Sequence, residues 1–152
     1  MIRQEQPQCK GLMDTDRRRI MTPALETFFK SAAFGVVGAS EDRSKFGNKV
    51  LRCYVSNQKV VIPVNPKAAS IEGLACVASV SDLPDAVKSI SVITPPAITE
   101  KVVEAAIARG ITNIWMQPGA ESAAAVERCK AAGINVIADH SCILVVLGFH
   151  DH

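Results

Sequence analysis

Residues 34–67 read FGVVGASEDRSKFGNKVLRCYVSNQKVVIPVNPK. The apolar run 34–37 ends in Gly38-Ala39-Ser40, and a polar loop leads on to Phe46. From there Val50, Leu51, Tyr54 and Val55 fall on one face of a helix with a 3.6-residue period. A second apolar run, 60–64, stops at Asn65-Pro66-Lys67. Strand, tight turn, helix and strand in that order form a βαβ unit with a glycine at its first turn. Glycine there lets backbone N–H groups come close to a phosphate, and the start of the helix adds positive potential. The stretch predicts a nucleotide site.

Its spelling narrows the ligand. The dinucleotide fingerprint is G-x-G-x-x-G, whereas Gly35, Gly38 and Gly47 stand at other spacings. A site for plain NAD also needs an acidic residue near the end of the second strand, to hold the ribose hydroxyls. Here that end is Val64-Asn65-Pro66-Lys67, without a carboxylate. A lysine suits a ribose that carries a phosphate, which leaves coenzyme A, with its 3′-phosphate, and NADP, with its 2′-phosphate.

Outward from this unit the alternation continues. Residues 91–94 read as a buried strand ended by Pro95-Pro96. Ile98, Val102, Val103, Ala106 and Ile107 then recur at helical spacing up to Gly110. A strand at 113–116 precedes Gln117-Pro118-Gly119, a helix spans about 121–132, and a last strand at 134–138 ends at Asp139. Between 64 and 91 the pattern is weaker. Residues 71–77 suit a short strand or turn, and Ser81-Asp82-Leu83-Pro84 suits a cap leading into a brief helix through Val87. Upstream, Thr22-Pro23 predicts an N-cap and first turn for a helix to about Ser31. Residues 1–21 are expected to be a flexible tail, and 143–149 a strand or helix turn that covers a sheet edge or a partner subunit.

Apolar strands alternating with helices predict an α/β fold. The expected architecture is a single Rossmann-like, doubly wound domain over 22–152. Its sheet is mainly parallel, of about five strands, with helices on both faces. The ligand of such a sheet lies beyond the carboxyl ends of its strands. Gly38-Ala39-Ser40, Asn65-Pro66-Lys67, Thr94-Pro95-Pro96, Gln117-Pro118-Gly119 and Asp139-His140-Ser141-Cys142 should all share that rim.

The rest of the chain mainly excludes. Its 152 residues, 48% hydrophobic and 21% charged, suit one ordinary globular domain. A net charge of +2 gives no case for nucleic acid, and Arg17-Arg18-Arg19 reads as a solvated segment flanked by acids. No apolar run reaches the ~18 residues of a membrane span, and the first thirty residues lack a signal peptide's apolar core. A cytoplasmic protein is expected. Five scattered cysteines without C-x-x-C fit reduced, mostly buried thiols. Asp139-His140-Ser141 does not make a hydrolase triad, because consecutive residues at a strand end point in alternating directions. Nor does the spacing of His140, Cys142, His150 and His152 match a structural zinc site. No catalytic or metal-binding residue is assigned.

Taken together, Val36-Val37-Gly38-Ala39-Ser40, Lys45-Phe46-Gly47, Pro63-Val64-Asn65-Pro66, Gly73, Trp115-Met116-Gln117-x-Gly119 and Gly133-Ile134-Asn135-Val136-Ile137 resemble the CoA-binding domain family. These are stand-alone Rossmann proteins similar to the N-terminal domain of the succinyl-CoA synthetase α subunit. The resemblance covers about residues 30–142. It implies that Gly38, Ala39 and Ser40 face a pyrophosphate and that Lys45 and Phe46 line the mouth of the loop. Asn65, Pro66 and Lys67 would hold the adenosine and its 3′-phosphate, and Thr94, Pro95 and Pro96 would border the adenine or pantetheine. The synthetases carry their phosphorylated histidine in a second domain that this sequence does not contain. The expectation is therefore a module that binds or senses CoA or acyl-CoA, rather than a self-sufficient enzyme. An NADP-dependent oxidoreductase and the CoA-binding subunit of a split acyl-CoA synthetase are the alternatives. A homodimer or a partner enzyme subunit completes the list of candidate partners.

Overall fold

A computed structural model describes residues 21–150, so the expected tail and the run Arg17-Arg18-Arg19 lie outside the described residues, Met21 apart. The described residues open with helix α1 (Pro23–Phe28), where Thr22 is extended and its Oγ1 accepts the Leu25 N–H at 3.2 Å. Strand β1 (Ala33–Val37), helix α2 (Phe46–Ser56) and strand β2 (Val61–Val64) then form the expected βαβ unit. A small antiparallel hairpin of β3 (Ser70–Ile71) and β4 (Leu74–Ala75) follows. After a 3-10 turn at Val80–Asp82 come β5 (Val87–Val92), α3 (Pro96–Arg109), β6 (Asn113–Met116), α4 (Ala123–Ala131), β7 (Asn135–Ile137) and the short α5 (Ile143–Val146).

Five strands make one sheet in the order β2-β1-β5-β6-β7, every pair parallel. The chain runs outward from β1 to β2, then returns to the other side of β1 with β5. That reversal between β1 and β5 is the topological switch point of a doubly wound sheet. Alternate residues of each strand face opposite layers. Phe34, Val36, Trp115 and Ile137 pack with Leu25, Phe28, Val50, Leu51, Tyr54 and Ile143 under α1, α2 and α5. Val37, Ile90, Val92, Ile114 and Met116 pack with Val103, Ala106 and Ala125 under α3 and α4. The Rossmann-like single domain expected from the sequence is the fold found.

Several local expectations are corrected. No helix runs from Ser81 to Val87: Pro84 disfavours the helical conformation at the residue before it, and Leu83 is extended at φ −66°, ψ 142°. Arg109 of α3 then donates to the carbonyls of Leu83, Pro84 and Val87, which fixes this segment as a connection. Strand β5 begins at Val87 instead of Ser91. Lys88 and Ser89 hid its first half: Lys88 is exposed, and the buried Ser89 Oγ donates to the Phe28 carbonyl at 2.6 Å, while the buried Ser91 Oγ lies 2.7 Å from Tyr54 Oη. On α2 the buried face uses Cys53, while Val55 is 48% exposed. Val60, 62% exposed, precedes β2. Residues 71–77 resolve into the hairpin and a bridge between Val64 and Val77. Residues 143–149 supply a helix turn, not a strand.

Cys53 and Cys129 are buried, Cys76 and Cys142 half-buried, and all four are free thiols. Burial pushes the Cys53 thiol up to about 12 and the Cys129 thiol up to about 11, and it raises the Tyr54 phenol as well. Their neutral forms are favoured in the folded state. This stability is fully present below the ordinary thiol value of 9.0 and is lost as pH rises through the folded values. The melting temperature should therefore hold between pH 7 and 8.5 and fall steadily above pH 9. Rapid labelling of Cys53 and Cys129 in the native protein at pH 8 would contradict the assignment.

Candidate functional site

The site is set by how closely α2 approaches the end of β1. Gly38 has φ +98°, and a Cβ built there would stand 2.8 Å from the Ile93 carbonyl oxygen. A Cβ on Gly47 would stand 2.1 Å from the Gly38 carbonyl oxygen and 3.3 Å from Ala39 Cα. Neither position admits a side chain. Both glycines are thus required by the tight packing of this loop and of α2 against the ends of β1 and β5, which brings the helix start close to the glycine turn.

The start of α2 stands beside the same loop. Lys45 occupies the N-cap position in an extended conformation, no side chain caps the helix, and its first turn holds no acidic residue. The first N–H groups of a helix have no intrahelical acceptor, so an uncapped start is suited to an anion. Lys45 is exposed, and Phe46 is half-buried against the apolar layer beneath it. Ser40 Oγ accepts the Asp42 N–H at 3.1 Å. Asp42 in turn accepts from the Ser44 hydroxyl at 2.7 Å and the Ser44 N–H at 2.9 Å, which lowers its carboxyl below the ordinary value.

The loops after the neighbouring strands flank this surface. On one side, Asn65 Nδ2 donates to the Ala39 carbonyl at 2.9 Å, and its Oδ1 accepts the N–H groups of Lys67 and Ala68 at 2.7 and 2.9 Å. Pro66 and Lys67 are exposed beyond that turn. On the other side, Ile93 N donates to the Val37 carbonyl at 2.8 Å, and Thr94 Oγ1 lies 2.7 Å from Thr99 Oγ1. Pro95 and Pro96 open α3, exposed. Gly38, Ala39, Ser40, Lys45 and Phe46 thus stand between Asn65, Pro66 and Lys67 on one flank and Thr94, Pro95 and Pro96 on the other.

Farther along the rim, Gln117 is wholly buried, and its Oε1 accepts the Ile143 N–H at 3.0 Å. Trp115 Nε1 donates to the Ser141 carbonyl at 3.2 Å, so the end of β6 anchors the segment before α5. Asp139, His140 and Ser141 do not converge on a reaction centre: the His140 side chain is 77% exposed, 3.5 Å from a Glu121 oxygen, while Ser141 N bonds back to Asp139. Among the described residues no group of three or more His, Cys, Asp or Glu side chains is placed to hold a metal ion. No helix of the described residues is long and apolar enough to cross a membrane.

Two residues that organise the loop were not singled out from the sequence. Asn48, wholly buried, donates to the Ser40 carbonyl at 2.9 Å, and Glu72 on the β3–β4 hairpin meets it at 3.1 Å. A usable signal existed for the first: Asn48 stands four residues before Arg52 in the expected helix, a spacing at which side chains pair, and Arg52 Nε donates to Asn48 Oδ1 at 2.6 Å.

Comparison with known proteins agrees with this geometry. The first 80-residue match is to an ADP-forming acetate–CoA ligase of Archaeoglobus fulgidus, at 31% identity over 53% of this chain but 12% of the ligase. The chain thus spans a small part of the curated ligase it matches. A conserved hypothetical protein from Pyrococcus furiosus superposes with a TM-score of 0.72 at 37% identity, over 74% of this chain and 97% of that one. The dinucleotide-forming acetyl-coenzyme A synthetase 1 of Ca. Korarchaeum cryptofilum gives a TM-score of 0.67 at 29% identity, over 76% of this chain and 28% of the synthetase. The CoA binding domain model matches residues 32–148, from β1 through α5, and the chain belongs to that family.

Proposed function

We propose that this chain binds coenzyme A or an acyl-CoA in the crevice above β1 and β5, as a cytoplasmic cofactor-binding or sensing module rather than a self-sufficient enzyme. The observation that carries the reading is the double close approach at Gly38 and Gly47, which packs the glycine turn directly beside an uncapped helix start. Gly38, Ala39 and Ser40 would take the pyrophosphate, with Lys45 and Phe46 at the mouth. Asn65, Pro66 and Lys67 would take the adenosine and its 3′-phosphate, and Thr94, Pro95 and Pro96 would border the adenine or pantetheine. Membership of a CoA-binding family favours CoA over NADP, while Lys67, beyond the end of β2, suits the phosphorylated ribose of either.

A second reading draws on the ADP-forming ligase match: the chain as the CoA-binding subunit of a divided acyl-CoA synthetase. Co-purification with a nucleotide-binding partner subunit would favour it, and a clean homo-oligomer would count against it.

Thermal-shift titration with CoA, dephospho-CoA, NADP and NAD tests the ligand. A compound that binds only the native state at a hundredfold excess over its Kd adds ~2.7 kcal/mol of stability. The expected result is a rise with CoA that shrinks with dephospho-CoA. Lys67→Ala should weaken CoA by ~1–3 kcal/mol, the worth of a charge-assisted contact, and leave dephospho-CoA nearly unchanged. A shift with NADP alone would replace this reading by the oxidoreductase one, and silence with all four compounds would defeat both.

A further inference from the structure

The β3–β4 hairpin brings a carboxylate to the edge of the glycine loop. Glu72 stands at its tip with φ +51°, in the left-handed region, followed by Gly73 at φ +78°. Glu72 Oε2 accepts from Asn48 Nδ2 at 3.1 Å and faces Arg43 Nε at 3.8 Å. Asn48 also holds the Ser40 carbonyl, and Arg52, bonded to Asn48, donates to the backbone carbonyl of Arg43 at 3.1 Å. The backbone is thus pinned at both ends of residues 40–43. The Arg43 side chain is treated differently: it is 58% exposed, and its distance from Glu72 exceeds hydrogen-bond length.

A fixed carboxylate beside an anion cradle opposes an incoming phosphate unless a cation stands between them. Arg43, on the loop itself, faces Glu72 and can take that place. A guanidinium matches the paired oxygens of a phosphate better than it matches a single carboxylate oxygen at 3.8 Å. We propose that Arg43 is a pyrophosphate-binding residue of this site, and that Glu72 competes with the ligand's diphosphate for it. Glu72 then sets affinity for the diphosphate portion of a nucleotide cofactor, separately from the 3′-phosphate end of the crevice. The inference rests on the cofactor reading given above.

Calorimetric titration of the full chain with CoA and dephospho-CoA tests it, since both carry the diphosphate and only one the 3′-phosphate. Arg43→Gln should weaken both ligands about tenfold and by equal factors. Glu72→Gln keeps an oxygen for Asn48 and should tighten both ligands about threefold. In the Arg43→Gln background that gain should vanish. Melting curves of the three variants confirm that each is folded. Unchanged or weaker binding by Glu72→Gln overturns the proposal, as does a gain that survives without Arg43 or a loss in Arg43→Gln confined to CoA. If the wild type binds neither ligand, both this inference and the cofactor reading fall. Wild-type binding with no response to Glu72→Gln removes this inference alone.

Discussion

Gly47→Ala is expected to destabilise the protein by about 3 kcal/mol, at the upper end of overpacking costs, and to lower cofactor affinity more than tenfold. The sign is the informative part. In an ordinary helix interior, replacing glycine by alanine stabilises by about 1 kcal/mol, because alanine is the better helix former. At Gly47 the new Cβ would lie 2.1 Å from the Gly38 carbonyl oxygen, and that neighbour is backbone at the end of a buried strand. It cannot swing aside. Relief requires the first turn of α2 to move away from β1, which opens the cradle and shifts Asn48 from the Ser40 carbonyl. Chemical denaturation and cofactor titration on the same variant measure both effects. A stabilised variant with undiminished affinity would show that the close approach of helix and strand is not what shapes the site.

Trp115→Ala should cost about 3–5 kcal/mol, the range for deleting a large aromatic side chain from a core. Trp115 is wholly buried in the middle layer of β6. Its ring meets the edges of Phe28 and Phe29 at centroid distances of 5.4 and 5.9 Å, and its Nε1 holds the Ser141 carbonyl. Loss of the ring leaves a void between α1 and the sheet and frees the segment leading into α5. Trp115→Phe retains an aromatic body without the N–H and should lose only about 1–2 kcal/mol. Since the chain has one tryptophan, unfolding is best followed by far-ultraviolet circular dichroism, with the urea midpoint falling and the slope unchanged. Equal losses for the two variants would assign the stabilisation to the Ser141 hydrogen bond instead of the packing.

The parts of the fold legible in sequence were those where one signal dominated. Thr22-Pro23, Gly110, and the apolar runs at 34–37 and 114–116 each combine a terminator or cap with a clear pattern, and their elements are found there, although α1 stops at Phe28 instead of about Ser31. The failures arise where tertiary contacts decide. The first half of strand β5 looked too polar at Lys88 and Ser89, because the partner that satisfies the Ser89 hydroxyl, the Phe28 carbonyl, is 61 residues away. The segment from Ser81 to Val87 resembled a capped helix, but Pro84 and the reach of Arg109 from α3 made it a connection. Placing the glycine loop and its two flanking segments on one rim followed from topology, since parallel strands deliver their carboxyl ends together. The hairpin that brings Glu72 to that loop could not be read in the same way. Two-residue strands carry almost no periodicity, and the contact with Asn48 spans 24 positions.

Asn65 has a consequence for how the proposed site would receive its cofactor. One side chain ties its own turn, through Lys67 and Ala68, to the carbonyl of Ala39 in the adjoining loop. Two loops that would otherwise fluctuate independently become one stiff rim, with their conformational entropy already lost when the chain folds. Binding of the proposed cofactor would then have little ordering left to oppose it, at a site preorganised rather than moulded by its guest.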